Sequence, residues 1–363
     1  MFKVCAIMSV FNEEDIINES VTKLIKQGCD VFILDNGSTD GTISKIQNLI
    51  GKGVINVETV RHYEDGKEVY NWTEILRAKA ELSKKLEYSW FLHVDADEIR
   101  YSPWEELSLS EGIEKVNHHG YSLIDFKLFN FRLTENSSYE GDIETNLQHY
   151  SYTEKFNSFQ IKAWKKSDSV NIDKHGGHII TVNNSQVYPV KFIHKHYPIR
   201  SIEQGKRKIQ SERKNRFSKA ELLQGWHVQY KDYDENSLKG IVWDTHDLKE
   251  FNMKAELFQI YKESLDFVAP SLSTLSQLET DGLRDLLYRC KQKENDLDQA
   301  KYMELLDLSI KISYLLTLGQ LPPIQIDESD RSIILNILKL KSTLDYLNAN
   351  PFVMQRLNDL QFV

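Results

Sequence analysis

The chain has 363 residues, of which 40% are hydrophobic and 27% charged, a globular composition that excludes a disordered or fibrous protein. Forty-five Lys and Arg stand against 54 Asp and Glu, a net charge of -9, which excludes a globally basic nucleic-acid binder. No stretch reaches the roughly eighteen apolar residues of a membrane helix, and three cysteines without metal spacing (Cys5, Cys29 and Cys290) point to a reduced, cytoplasmic compartment.

The N-terminal apolar stretch is too short for a secretory signal, and Val4 to Val10 reads as a buried strand. Asn12 is the expected N-cap of the following helix, with Glu13, Glu14 and Asp15 at its positive end. Ile17, Val21, Leu24 and Ile25 recur at helical spacing. A second strand, Val31 to Leu34, runs into Asp35-Asn36-Gly37-Ser38, and a helix with Ile43, Ile46, Leu49 and Ile50 on one face should follow. Val54 to Val60 is a third strand, Trp72 to Leu86 a helix and Trp90 to Val94 a fourth strand. This βαβαβαβ order predicts a mainly parallel sheet with ligands beyond the carboxyl ends of its strands.

From Tyr121 to Tyr197 the alternation predicts antiparallel strands, as in Leu123 to Phe131. Arg200 to Lys219 holds eight basic and two acidic residues, a local excess of +6. Beyond about Leu248 the pattern is helical, with Pro322-Pro323 as a linker.

The most informative segment is Trp90-Phe-Leu-His-Val-Asp95-Ala-Asp97-Glu98, a strand that runs directly into three carboxylates. In an extended chain Asp95 and Asp97 project to the same side. Two carboxylates aimed at one point repel unless a cation lies between them. Mn2+ or Mg2+ takes one or two carboxylates and completes its shell with phosphate oxygens and water. The plainer alternative is that these acids cap the next helix; the position after a fourth buried strand favours the cation. A second signal is Ile33 to Thr42, a polar glycine-containing loop between strand and helix. It lacks both the Gly-Lys-Ser/Thr of a phosphate loop and the dinucleotide fingerprint, and ordinary turn chemistry is its bland reading.

In combination, Met8-Ser-Val-Phe-Asn-Glu-Glu14, Leu34-Asp-Asn-Gly-Ser-Thr-Asp-Gly-Thr42 and Val94-Asp-Ala-Asp-Glu98 resemble the family 2 glycosyltransferases. The resemblance implies an α/β GT-A Rossmann-like fold: a mainly parallel sheet, antiparallel additions and a C-terminal helical region. The implied domains are 1–245, with a nucleotide-binding half over 1–100 and an acceptor half with the basic segment over 101–245, and a helical region over 246–363. It implies an inverting transfer of sugar from a UDP- or dTDP-sugar to a glycan or lipid-linked acceptor. Ser9 and Asp35 would line the base pocket, with Asn12 and Glu14 beside them. Asp97, and Asp95 through water, would hold Mn2+ or Mg2+ on the diphosphate. Asn36 stands where the family usually has a second acidic residue. Gly176-Gly-His178, Lys195 to Ser201, Lys206-Arg-Lys208, Glu212-Arg213 and Gly225 to Tyr230 look like a bacterial subgroup with cell-surface polysaccharide functions.

A third metal ligand late in such chains is frequently a histidine; His196 is the first candidate and His194 the second. Arg200, Lys208 and Arg213 are candidates to neutralise the departing diphosphate; a solvated basic face, a mobile lid or a surface for anionic lipid at the inner membrane are other uses of this stretch. For the base that takes the acceptor proton, Asp142, Glu144, Asp173 and His178 are available. Trp164, Trp226 and Tyr230 either stack on sugars or fill the core. The enzymatic rival is a nucleotidyltransferase, which should show a basic Gly-rich loop where Ser9-Val-Phe-Asn-Glu-Glu14 stands; the non-enzymatic rival is a carbohydrate-binding protein that has kept the fold.

Overall fold

The computed structural model describes residues 2–137, 141–151, 159–213, 216–218, 241–257, 259–260 and 263. The chain divides into two compact units, one of residues 1–114, 122–187 and 192–252, the other of 115–121, 188–191 and 253–363. In the second unit the Tyr121 and Tyr188 rings meet edge to face at 5.1 Å, and His119 Nδ1 lies 3.2 Å from the Tyr188 hydroxyl.

β1 (Val4–Val10) and β2 (Cys29–Asp35) are near-continuous apolar runs, buried along almost their whole length, as expected of strands covered on both faces. Between them α1 (Ile17–Lys26) buries Ile17, Ser20, Val21 and Leu24. α2 (Thr42–Lys45) is one turn long, followed by a 3-10 turn and by β3 (Val54–Thr59), whose exposed positions fit its place at the sheet edge. β4 (His62–Glu64) and β5 (Lys67–Val69) form a separate hairpin through Asp65-Gly66, both at positive φ, the geometry an Asp-Gly turn supplies. α3 (Trp72–Lys85) is capped by Asn71, whose side chain accepts from the Glu74 amide. It leads to β6 (Trp90–Asp95) and β7 (Glu98–Tyr101).

Then come α4 (Leu109–His118), β8 (Leu123–Phe131), β9 (Leu133–Thr134), α5 (Ile143–Asn146), β10 (His149–Ser151), β11 (Ile161–Lys165) and β12 (Val187–His196). α6 (Ile202–Arg207) continues as a π-helical stretch, Lys208–Arg213, and β13 (Val242–Trp243) and β14 (Lys249–Glu250) close the described part of the first unit.

The main sheet has the order β14-β10-β8-β11-β6-β1-β2-β3. β6, β1, β2 and β3 pair in parallel. β11, β8, β10 and β14 extend it antiparallel, and β12 pairs antiparallel with β7. The expected mainly parallel sheet with antiparallel additions is therefore present. Cys5, Ile7, Phe32, Leu34, Leu76, Phe91 and Trp164 belong to one core cluster, so Trp164 is a core residue. Among the described residues no helix is long and apolar enough to cross a membrane.

Three expectations are corrected. The helix anticipated through Ile50 ends at Lys45; Ile50 is extended, bridges to Val54 and is 40% exposed, because Gly51 and Gly53, both at positive φ, turn the chain back. Asn12 is no N-cap: Ile16 holds that position, and Asn12 sits at φ 52 in the preceding loop. Lys249–Glu250, in a stretch read as helical, pairs with β10. The stretch beyond 263 that the sequence pattern reads as helical, with Cys290 and Pro322-Pro323, lies outside the described residues, as do Trp226 and Tyr230.

Candidate functional site

The carboxyl ends of β1, β2 and β6 lie side by side, with Ser9 opposite Asp95 and Val10 opposite Asp35. This is the edge at which open parallel sheets bind ligands. Two loops beyond it are joined by polar contacts. The Asn12 amide donates to Ser38 Oγ at 3.1 Å, and Asn12 Oδ1 accepts from the Thr39 amide at 2.8 Å. The Glu13 amide donates to Thr42 Oγ1 at 2.8 Å, and Glu14 accepts from the Gly41 amide at 2.9 Å. Asp35 is buried and accepts from the Ser38 amide at 3.0 Å, while Asn36 donates to the Val60 carbonyl at 2.8 Å. Asn12, Glu14 and Asp35 thus build one loop pair.

Ser9 Oγ donates to Asp95 Oδ1 at 2.8 Å. The turn after Asp95 is fixed from three sides. Ser20 donates to the Ala96 carbonyl at 2.5 Å, the Asp95 amide donates to Glu98 at 3.0 Å, and the Tyr197 amide donates to the Asp97 carbonyl at 2.8 Å. β6 ends at Asp95, so strand alternation no longer sets the direction of Asp97. The two carboxylates take different partners: Asp95 faces Ser9 and Lys79, whereas Asp97 faces Lys208 at 2.8 Å, His196 at 3.7 Å and Arg200 at 3.9 Å.

Asp97 and His196 suit a hard divalent ion. His196 Nδ1 is held at 2.7 Å by Asn130 Oδ1, which leaves Nε2 turned toward Asp97. A neutral ring with Asn130 accepting from Nδ1–H would present an Nε2 lone pair to a metal. Among the described residues no group of three or more His, Cys, Asp or Glu is arranged to hold a metal. A carboxylate and imidazole pair leaves the other positions to diphosphate oxygens and water, as Mn2+ and Mg2+ accept. A cation is already accommodated there, the Lys208 ammonium. Burial alone would raise the pKa of Asp97, but Lys208, then His196 and Arg200, hold it well below the usual carboxylate range.

Arg200 is fully buried and bound to Asp15 at 2.7 and 2.8 Å, to Glu13 at 2.5 Å and to the Tyr197 carbonyl at 3.1 Å. Sequence alone suggested that Glu13 and Asp15 served a helix end; they bind this guanidinium instead. Arg200, expected at the diphosphate, is occupied by the two carboxylates. Arg200→Lys keeps the charge but loses the planar fork. We expect it to lower stability by about 1.5–3 kcal/mol, the worth of a charged hydrogen bond, read as a drop in the denaturant midpoint.

Two further ionic groups support the strand end. Glu98 is buried against Arg100 at 2.5 Å, Lys162 at 2.7 Å and His194 at 3.0 Å. The His194 contact is electrostatic, since neither ring nitrogen makes a well-aligned hydrogen bond. His194, the second metal-ligand candidate, therefore belongs to Glu98 rather than Asp97, and burial above all lowers its pKa to about 3. Lys79 is fully buried and donates to the Val94 carbonyl at 3.0 Å, with His93 Nδ1 at 2.8 Å and Asp95 Oδ1 at 3.6 Å. Burial lowers its pKa to about 8 against the pull of Asp95 and Glu98.

Asp142 and Glu144 are placed in a different ionic group. Asp142 caps α5 and meets Lys23 at 2.8 Å; Glu144 meets Lys23, Lys195 and the Tyr101 hydroxyl, each at 2.5 Å. Glu144 thus carries three donors on its two oxygens, from Lys23, Lys195 and Tyr101. Asp173 is paired with Arg77 at 2.8 Å. His178 keeps an exposed edge and lies 3.3–3.4 Å from the Gln160 amide group. Desolvation where the ring packs, then Lys162, lower its pKa, opposed by Glu98 and Asp95. The Arg213 side chain lies outside the described residues. A cavity of about 710 Å³ opens beside Arg200, lined by Thr134, Asn136, Ser137, Trp243 and Asp244 among others.

Lys79 and Arg216 were not singled out from sequence, and Glu13 and Glu98 were read only as members of acidic runs. Arg216 stacks 3.7 Å over the Phe11 ring and binds Asn36 and Glu68. Only Glu98, directly after the Asp-Ala-Asp run, carried a local signal.

Residues 5–99 match the family model described as Glycosyl transferase family 2. That segment holds β1, β2, β6 and the strand-end carboxylates. No curated protein matches the chain. Among solved structures it is similar to S. aureus TarS 1–349 in complex with UDP, at 13% identity over 86% of this chain and 91% of that one, with a TM-score of 0.31. It is also similar to glucosyl-3-phosphoglycerate synthase from Mycobacterium tuberculosis in complex with Mn2+, UDP and glucosyl-3-phosphoglycerate, at 20% identity over 36% of this chain and 44% of that one, with a TM-score of 0.23.

Proposed function

We propose that the protein is a divalent-metal-dependent, inverting glycosyltransferase that moves a sugar from a UDP- or dTDP-sugar to a glycan or lipid-linked acceptor. The observation that carries this reading is the Asp97 and His196 pair at the end of β6, inside and beside the segment that matches the family. Asp97 and His196 would hold Mn2+ or Mg2+, which when bound offsets the charge that builds on the diphosphate as it leaves. Asp35 would accept the imide N–H of uracil or thymine, while Ser9 keeps Asp95 oriented toward the same edge. His178, neutral and with an exposed edge, is a better candidate for the acceptor proton than Asp142 or Glu144, whose oxygens are taken by Lys23, Lys195 and Tyr101. The cavity between Thr134 and Trp243, with hydroxyl, amide and indole groups, suits a sugar acceptor. Domain limits of 1–245 and 246–363, and a place at the cytoplasmic membrane face in polysaccharide synthesis, belong to the same proposal.

The test is a panel of nucleotide-sugars incubated with Mn2+, with free nucleotide diphosphate as the product measured. Release of UDP or dTDP that EDTA abolishes supports the reading; a panel with no turnover and no nucleotide binding contradicts it. Asp35→Ala should weaken UDP binding about tenfold or more, since an unpaired buried donor costs about 1–3 kcal/mol. It should also erase the preference over ADP. Equal wild-type affinity for ADP and UDP would remove Asp35 as the base reader.

A further inference from the structure

The strongest unexplained feature is the position of Lys208. Its ammonium lies 2.8 Å from Asp97 Oδ2, 3.4 Å from Glu13 Oε1 and 3.2 Å from the Pro198 carbonyl, and the residue is buried. These are three oxygens around one cation, and one of them is the carboxylate that would bind metal. A divalent ion and an ammonium compete for that carboxylate, because like charges at such a separation repel. Lys208 stands at the junction of α6 and the π-helical stretch Lys208–Arg213. π-helical turns often mark functional positions in helices. Glu13 also binds Arg200, so it stays compensated when Lys208 leaves.

We propose that Lys208 is an internal placeholder cation that keeps Asp97 neutralised in the nucleotide-free protein and is displaced from it when the divalent ion enters with the diphosphate. The proposal rests on the metal assignment above. The displaced ammonium turns to the diphosphate, so the same charge that blocks bare metal then favours the metal-nucleotide pair. Metal and nucleotide therefore bind with positive coupling, and neither binds well alone.

The test is Mn2+ binding followed by the electron paramagnetic resonance signal of free Mn2+, without nucleotide and then with UDP. Wild-type protein should bind Mn2+ weakly alone and at least about tenfold more tightly with UDP. Lys208→Met should bind Mn2+ alone at least about tenfold more tightly than wild type, and UDP should strengthen its Mn2+ binding by a smaller factor than in wild type. Folding is checked by melting curves; Lys208→Gln, which keeps a polar head, replaces Lys208→Met if that variant does not fold. Equal Mn2+ affinity of variant and wild type, with UDP still strengthening the wild type, overturns the placeholder and leaves the metal site standing. No Mn2+ binding by either protein with or without UDP overturns both.

Discussion

Asp97→Asn is expected to remove Mn2+-dependent binding of UDP while the protein stays folded. Asparagine preserves the size of the side chain and can still accept from Lys208, but it has lost the charge that would hold the proposed cation. Asp97 is buried at the end of a turn fixed by Ser20, Glu98 and Tyr197, so the change does not release the backbone. The drop in UDP affinity in Mn2+ should be about tenfold or more, at least ~1.4 kcal/mol, while the weak affinity in EDTA should not move. Isothermal titration calorimetry with and without Mn2+ measures both. A folded Asp97→Asn protein with unchanged Mn2+-dependent affinity would remove the residue from the site.

The largest stability effect is expected at Glu98. Its carboxylate is the shared counter-charge of Arg100 and Lys162 and also touches the His194 ring, all buried. Glu98→Gln leaves the buried cations without a full negative partner, and breaking buried pairs of this kind costs about 3–5 kcal/mol. That is a large part of an ordinary domain's stability of roughly 5–15 kcal/mol. The same group gives a pH signature. Burial alone would raise the pKa of Glu98, but His194, Lys162 and Arg100 hold it well below the usual glutamate value. A carboxylate with a folded pKa below its unfolded one stabilises fully above the unfolded value of about 4.3. That contribution is lost as pH falls through the depressed folded value. Wild-type melting temperature should therefore fall with acid below about pH 4, and Glu98→Gln should start lower at pH 7 and show a shallower acid slope. Equal melting of the two proteins at pH 7 would contradict this role.

The parallel half of the fold was readable because each strand advertises itself locally. β1, β2 and β6 are apolar runs bounded by polar loops, and Leu123 to Phe131 was delimited at both ends. The strand-end position of Asp97 followed from the same pattern. What failed was whatever depended on distant partners. Glu13 and Arg200 are 187 residues apart, and nothing in the local charge pattern distinguishes an acid that serves a helix end from one that binds a buried guanidinium. Asp95 and Asp97 were expected to converge because an extended chain alternates; the strand stops at Asp95 and the turn gives each its own cation. His194 and His196 share one face of β12, and only the tertiary placement of Glu98 and Asp97 assigns one to each. Asp142 and Glu144 looked available because Lys23 and Lys195 lie 121 and 51 residues from Glu144 in the chain.

The most direct measurement of the donor-site assignment is anomalous diffraction at the manganese absorption edge from crystals grown with UDP and Mn2+. One strong peak is expected in contact with the Asp97 carboxylate and His196 Nε2, with Lys208 moved off Asp97 and the uracil against Asp35. UDP bound elsewhere, or bound at this edge with no manganese peak and Lys208 still on Asp97, would contradict it.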